Sequence, residues 1–149
     1  MERLLVALAL ALAAVLVAAV LRRRRAAPAP TRGGWSAPAQ LDRADFARPD
    51  APYLVVLFSS STCHTCAAMA DKVKVMACAS VAVDVVEVSD RPALHKRYVI
   101  EAVPIVVIAD RRGVVRASFI GPATATDVWA AMAEVRQPGS SPEPELGHS

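Results

Sequence analysis

Residues 53–77 read YLVVLFSSSTCHTCAAMADKVKVMA. The continuous apolar run at residues 53–58 is typical of a strand that is buried on both faces. Apolar residues then recur at helical spacing over residues 67–77, which predicts an amphipathic helix. Cys63 and Cys66 lie between the strand and the helix, so we expect Cys63 to lie at the N-terminus of the helix.

A cysteine at a helix N-terminus is suited to redox chemistry. Free backbone N–H groups and the positive end of the helix dipole both favour a thiolate, which makes Cys63 the predicted nucleophile. Cys66 lies one turn into the helix, close enough to attack a mixed disulfide and release a substrate. The imidazolium of His64 is expected to stabilise the thiolate further and to make the disulfide more oxidising. Two inert buried thiols, or half of a zinc site, are the alternative interpretations of the pair.

The rest of the folded part alternates between apolar runs and capped helical segments. The predicted elements are a short helix capped by Asp42 and running through Ala47, strands at 53–58, 81–88, 105–109 and 114–119, and helices at 67–77, at 91–98 after an Asp90 cap, and from Thr124 or Thr126 to about Val135. Two parallel βαβ pieces followed by a hairpin and a helix predict an α/β fold, with a central mixed sheet and helices on both faces.

An apolar segment near the N-terminus predicts a membrane anchor. Residues 4–21 are an unbroken run of 18 Leu, Val and Ala residues, which as a helix spans roughly 27 Å, close to the hydrocarbon thickness of a bilayer. Arg22 to Arg25 come directly after it. A cleaved signal peptide is the alternative, but positive charge immediately beyond the apolar run argues against export of the downstream domain. We therefore predict a single transmembrane helix with a basic flank over residues 1–25.

The same charges predict the topology of the protein, and the composition predicts the boundaries of its domain. The side of the membrane with more Lys and Arg is usually cytoplasmic, so we expect the domain to face the cytoplasm from the cell membrane; the exported face is the alternative. Residues 26–40 are rich in Ala, Pro and Gly and form the predicted linker. Residues 41–136 are the predicted domain, and residues 137–149 a disordered tail.

Composition narrows the functional classes. The formal net charge is +3. The four consecutive arginines contribute +4, so the rest of the chain has a net charge of −1. This cluster is typical of headgroup contact, and it does not describe a nucleic-acid-binding surface, so no nucleic-acid partner is predicted. Three cysteines are too few for the disulfide framework of a secreted mini-protein. We predict no cofactor and no bound metal.

A second stretch extends the argument beyond the cysteines. Residues 91–104 read RPALHKRYVIEAVP, and Ile120-Gly121 come after the hairpin. Together with the Cys-X-X-Cys pair, these segments resemble the thioredoxin family over about residues 41–136. The resemblance implies a thioredoxin-like fold and a cis peptide bond before Pro104, packed beside the redox pair. It also implies that the backbone of Val103, with Pro104 and Thr62, contacts a bound polypeptide substrate.

The chain also departs from the family pattern. Thr62 replaces the usual Trp before the first cysteine, and His64-Thr65 replace the usual Gly-Pro between the cysteines. His64 and Thr65 are therefore expected to tune the redox properties of the pair. Leu57 stands where the family has a buried acid, and Val85 where it has the partner Lys. Because a buried charge needs a partner, losing both is consistent, but it leaves Cys66 without an obvious internal base. The family's first strand is expected to be missing or vestigial, since residues 35–41 have little strand pattern.

Three functions from different classes fit these observations. The first is a thiol–disulfide oxidoreductase that acts on protein disulfides or dithiols, membrane proteins among them, with its direction unassigned. The second is a membrane-tethered thioredoxin-like copper- or metal-handling protein that binds soft Cu(I) through Cys63, Cys66 and His64. Its relatives usually have a distant ligand histidine, for which His95 is the only candidate within the domain. The third is a redox-silent thioredoxin-like binding module.

Four other residues carry separate predictions. Cys78, after the helix of the redox pair, is expected to be a small buried apolar residue, with a regulatory thiol as the alternative. His95 lies beside Lys96 and is expected to be solvated. Trp129 is expected in the core, and Trp35 at an interfacial or packing contact.

Overall fold

The computed structural model describes residues 35–139. After a 3-10 turn at Arg43–Asp45, the elements are β1 Tyr53–Ser59, α1 His64–Lys74, β2 Val81–Glu87, α2 Pro92–Arg97, β3 Ile105–Asp110, β4 Val115–Ile120 and α3 Ala125–Arg136. This is the predicted order of elements. The first helical segment is shorter than expected, and α1 begins three residues earlier than the pattern predicted.

The four strands form one mixed sheet in the order β2-β1-β3-β4. β1 pairs with β2 in parallel and with β3 antiparallel, and β3 and β4 form an antiparallel hairpin with an irregularity at Ile108/Ala109. The predicted α/β fold with a mixed central sheet is confirmed. β1 is central, and its residues from Leu54 to Ser59 are all buried, which explains the continuous apolar run.

Helices cover both faces of the sheet. On one face, α1 and α3 pack through Met69, Val73, Val128 and Met132 against a cluster that includes Leu57. The opposite face carries a second core cluster, which α2 partly covers. Its fully or nearly fully buried members include Leu41, Phe46, Leu54, Phe58, Val86 and Val107.

The segment before β1 is held by one buried arginine. The guanidinium of Arg43 donates to the carbonyl oxygens of Ala51, Asp110 and Arg48 at 3.0 to 3.2 Å. Asp42 caps the 3-10 turn by accepting a hydrogen bond from the Ala44 N–H, as predicted. Residues 35–41 form no strand: an isolated bridge joins Gln40 to Val114, which agrees with a vestigial first strand.

The surroundings of α2 differ from the prediction at two positions. His95 is not solvated but only 6% exposed, because its Nε2 lies 2.9 Å from the carbonyl oxygen of Val86 and its ring meets the edge of Phe58. Asp90 does not cap the helix; Arg91 is the N-cap, without a side-chain cap bond, and its guanidinium instead pairs with Asp84 of β2.

Two further burial predictions were wrong. Trp129 is 46% exposed, because α3 turns Val128 and Met132 toward the sheet instead. Cys78 is exposed, because α1 ends at Lys74 and Cys78 lies in the turn before β2, where it forms a bridge with Val81. A hydrogen bond with Ser80 lowers the pKa of the Cys78 thiol. Trp35 is 52% exposed, and Thr124 caps α3 in a capping box.

The predicted N-terminal anchor lies outside the described residues, as do most of the linker and residues 140–149 of the tail. Within residues 35–139, no helix has both the length and the apolar content needed to cross a membrane.

The hydroxyl of Tyr98 supplies a test of the fold. It accepts from the N–H of Asp42 at 3.0 Å and donates to the Asp45 carboxylate. Burial, together with this second bond, raises the pKa of Tyr98 to about 12. Because the folded pKa lies above the ordinary value, we expect a contribution to the free energy of unfolding that is complete below pH about 10 and lost as the pH rises toward about 12.

Urea denaturation at intervals across this window measures the effect. We expect Tyr98→Phe to unfold more easily than the unsubstituted protein by about 1 kcal/mol below the window, and to show little of the decline within it. Tyr53→Phe is the matched control and should keep the decline. An equal decline in both variants would contradict the assignment to Tyr98.

Candidate active site

The redox pair lies at the end of the central strand. β1 ends at Ser59, and a short loop leads to Cys63, which is the N-cap of α1. The N–H of Cys63 donates to the Ser60 carbonyl oxygen at 3.0 Å, and the N–H of Cys66 donates to that of Cys63 at 3.2 Å. The backbone therefore places the first cysteine at the helix N-terminus, where free N–H groups favour a thiolate.

The two cysteines form a disulfide, with their Cα atoms 5.4 Å apart. Their environments differ: Cys66 is 1% exposed, whereas Cys63 is half-buried. An external thiol or disulfide therefore reaches Cys63 first, and Cys66 can react only with a group already bound to Cys63.

Of the two residues between the cysteines, only Thr65 contacts the first sulfur. Its Oγ1 lies 3.5 Å from the Sγ of Cys63. The side chain of His64 is exposed and makes no hydrogen bond with any residue in the range 35–139. Thr62 is also exposed, and its hydroxyl is 2.9 Å from that of Ser60. Thr65 is thus placed to tune the pair directly, whereas His64 could act only through its charge.

The loop before Cys63 is tied to the neighbouring strand by a residue that the sequence analysis missed. The carboxylate of Glu87, the last residue of β2, accepts a hydrogen bond of 2.6 Å from the Ser61 N–H. The carbonyl oxygen of Ser59 accepts from the Val88 N–H at 3.0 Å. The sequence contained a signal for this contact. The carboxyl ends of two parallel strands lie at the same edge of a sheet, so an acidic residue that ends β2 lies near the loop that follows β1.

The positions beneath the pair carry no ionisable group. Leu57 and Val85 are direct partners in the β1–β2 register. Leu57 is fully buried in the same cluster as Met69 and Ala70 of α1, and Val85 packs against that cluster. Two apolar side chains thus fill the sites of the family's acid and lysine, beneath the helix that carries Cys66.

The structure brings Pro104 to the same end of the sheet. The Val103–Pro104 peptide bond is cis. Pro104 is buried, Val103 is half-buried, and the Pro104 carbonyl oxygen accepts from the Gly121 N–H at 2.8 Å. Because the next residue, Ile105, pairs with Phe58 near the end of β1, the cis-proline loop and the redox loop occupy one edge.

No group of three or more His, Cys, Asp and Glu side chains within residues 35–139 could hold a metal ion. His95, the ligand candidate of the metal hypothesis, contacts Phe58 on the sheet face opposite the cluster of Leu57 and α1.

The sequence matches no protein-family model and no curated protein. Three solved structures are similar to it. A point-mutant thioredoxin from Halobacterium salinarum NRC-1 has a TM-score of 0.53 and 20% identity, over 68% of this chain and 95% of its own.

The germline-specific thioredoxin Deadhead from Drosophila melanogaster has a TM-score of 0.51 and 26% identity, over 58% of this chain and 84% of its own. Thioredoxin-2 of the malaria parasite, described as a component of its protein secretion machinery, has a TM-score of 0.51 and 14% identity, over 56% and 82%. The chain thus has a thioredoxin fold with a Cys63–Cys66 pair at the start of α1, as is consistent with a thioredoxin-family domain.

Proposed function

We propose that the protein is a thiol–disulfide oxidoreductase that acts on protein disulfides or dithiols. The observation that carries the proposal is the asymmetry of the pair: Cys63 is half-buried at a helix N-terminus, while its disulfide partner Cys66 is 1% exposed. An accessible nucleophile beside a protected second thiol suits thiol–disulfide exchange, in which the second thiol resolves the mixed disulfide formed by the first.

In the reducing direction, the Cys63 thiolate attacks one sulfur of a substrate disulfide, and the other substrate sulfur leaves as a thiolate. Cys66 then loses its proton and attacks the Cys63 sulfur. The second substrate sulfur leaves as a thiolate, both substrate thiolates take protons from solvent or from Cys66, and the Cys63–Cys66 disulfide remains. The substrate gains the two electrons that the cysteines lose, and oxidation of a dithiol is the reverse sequence.

The second step is the slower one in this proposal. Cys66 must lose a proton before it attacks, and the neighbouring apolar positions Leu57 and Val85 offer no base. The proton leaves by way of solvent at the open side of the pair. Resolution of the mixed disulfide therefore limits turnover.

We further propose that residues 1–25 anchor the domain in the cell membrane, with the domain on the cytoplasmic side. The support is the 18-residue apolar run and the four arginines directly after it. A tethered domain meets substrates at or near the bilayer, so membrane proteins are the proposed substrates.

Neither alternative function has comparable support. A metal-handling role lacks its distant histidine, since His95 is buried against Val86. Within residues 35–139, Cys63, Cys66 and His64 form no group that could hold a metal ion. A redox-silent module does not require both cysteines at the start of α1, within bonding distance.

A redox titration of the full chain tests the proposal. After equilibration in glutathione or dithiothreitol buffers, alkylation read by mass should report a reversible two-thiol couple. A value near or below about −250 mV indicates a reductant, and one near roughly −120 to −180 mV an oxidant or isomerase. Cys63→Ser should lose all activity above background, and Cys66→Ser should trap a mixed disulfide. Failure of the two thiols to form an intramolecular disulfide would contradict the function.

A hydroxyl contact supplies a second test. If the Thr65 hydroxyl donates to the Cys63 thiolate, then Thr65→Val should shift the midpoint of pH-dependent Cys63 alkylation upward by about half a unit. Thr62→Val is the matched control, because that hydroxyl bonds to Ser60 and should leave the midpoint unchanged. Equal midpoints in both variants and the unsubstituted protein would rule out the contact.

Topology is testable with reporters fused after Ser149. A reporter that is active only in the cytoplasm should be active, and one that requires export should be inactive. The opposite result would place the domain outside, and loss of the chain from the membrane fraction would overturn the anchor.

A further inference from the structure

Four arginines line one shallow depression at the end of the domain that lies away from the redox pair. The depression has a volume of about 580 Å³; its cationic lining is Arg43, Arg97, Arg111 and Arg112, and its one acidic lining residue is Asp42. We call these four residues the basic surface. Residues 41–136 carry eleven Lys and Arg and eleven Asp and Glu, so this is a local excess of positive charge on a neutral domain.

Most of this charge has no acidic partner. Within residues 35–139, the side chains of Arg111 and Arg112 make no hydrogen bond or ion pair, and both residues are exposed at the β3–β4 turn. The nearby carboxylate of Asp110 is already engaged by Arg116 and by the backbone N–H groups of Arg112 and Val114. The turn therefore presents two uncompensated guanidinium groups to solvent.

Arg43 also lines the depression, and the carboxylates of Asp110 and Asp50 act on its charge. Arg43 is 8% exposed, its terminal nitrogens are held by backbone carbonyl oxygens rather than by a carboxylate, and its buried Nε has no partner within residues 35–139. Within residues 35–139, Arg97 alone of the four arginines forms ion pairs, with Asp42 and Asp45. The residues that line the depression therefore carry a net positive charge, which suits a phosphate-bearing group.

The position of the basic surface indicates which partner it can contact. Gln40 and Leu41, where the proposed linker meets the domain, line the same depression. Tyr53, at the start of β1, pairs with Asp110, so the β3–β4 turn lies at one end of the sheet and Cys63 at the other. The length of β1 places roughly 20 Å between the two ends.

We propose that the basic surface docks on the anionic phospholipid headgroups of the membrane that holds the chain, with the redox pair facing away from the bilayer. The inference rests on the proposed anchor. The linker between Arg25 and Leu41 can span at most about 55 Å, so the domain stays within reach of the surface. Docking turns a loosely tethered domain into an oriented one.

Hydrogen exchange of the full chain in vesicles tests the proposal. Exchange at the β3–β4 turn is compared between phosphatidylcholine vesicles and vesicles that also contain phosphatidylglycerol. We expect severalfold slower exchange with phosphatidylglycerol, reversed by high salt, which screens the attraction. Each arginine near an anionic surface shifts docking about fivefold, so the double variant Arg111→Gln with Arg112→Gln should lose the slowing.

A matched control separates the surface from net charge. Lys74→Gln with Lys96→Gln removes the same charge from exposed positions outside the depression and should keep the slowing. Equal exchange in both kinds of vesicle, or equal loss in both double variants, would overturn docking. If inorganic phosphate slows exchange at the β3–β4 turn in phosphatidylcholine vesicles, the basic surface binds a soluble anion and membrane docking is overturned.

Flotation of the chain with the vesicles tests the anchor separately in the same samples. A chain that floats with both kinds of vesicle but shows no slowing retains the anchor and loses the docking. A chain that does not float with phosphatidylcholine vesicles loses the anchor, and with it the basis of the proposal.

Discussion

The central strand β1 is the element on which the rest of the structure depends. It is hydrogen-bonded to a strand on each edge and covered on both faces, so six consecutive residues are removed from water. Such burial contributes roughly 1.5–3 kcal/mol for each large apolar side chain, which fixes the register of both neighbours. Because β1 ends where the Cys63 loop begins and where β3 starts, the same pairing brings the cysteines and Pro104 to one edge.

The interior near the redox pair is apolar, and the polar contacts lie at its rim. Leu57 and Val85 fill the sites in which the family has a buried charge pair, which removes a desolvation cost and also a proton acceptor. Glu87 instead holds the loop from outside, through the Ser61 N–H. This arrangement stabilises the loop geometry and, in the proposed mechanism, leaves proton transfer to groups in contact with solvent.

The two ends of the sheet carry different groups. The end after β1 carries the accessible sulfur of Cys63, while the other carries the 3-10 turn, the buried Arg43 and the β3–β4 turn. Gln40 and Leu41 lie at the second end, so the proposed tether would attach there and leave the redox end open to the proposed protein substrates. The Cys63 loop and the β3–β4 turn are separated because β1 runs from one end of the sheet to the other.

The sequence by itself determined the order of elements, the placement of Cys63 at a helix start and the apolar character at Leu57 and Val85, because strand burial and helical spacing are local patterns. Resemblance to a family was needed to predict the cis bond at Pro104. Only the tertiary structure decided that His95 points inward, that Trp129 points outward, that Cys78 is exposed and that Glu87 holds the redox loop. Periodicity indicates which residues can be buried, but the inward face of a short helix, and the partner of a long-range hydrogen bond, depend on elements distant in the chain.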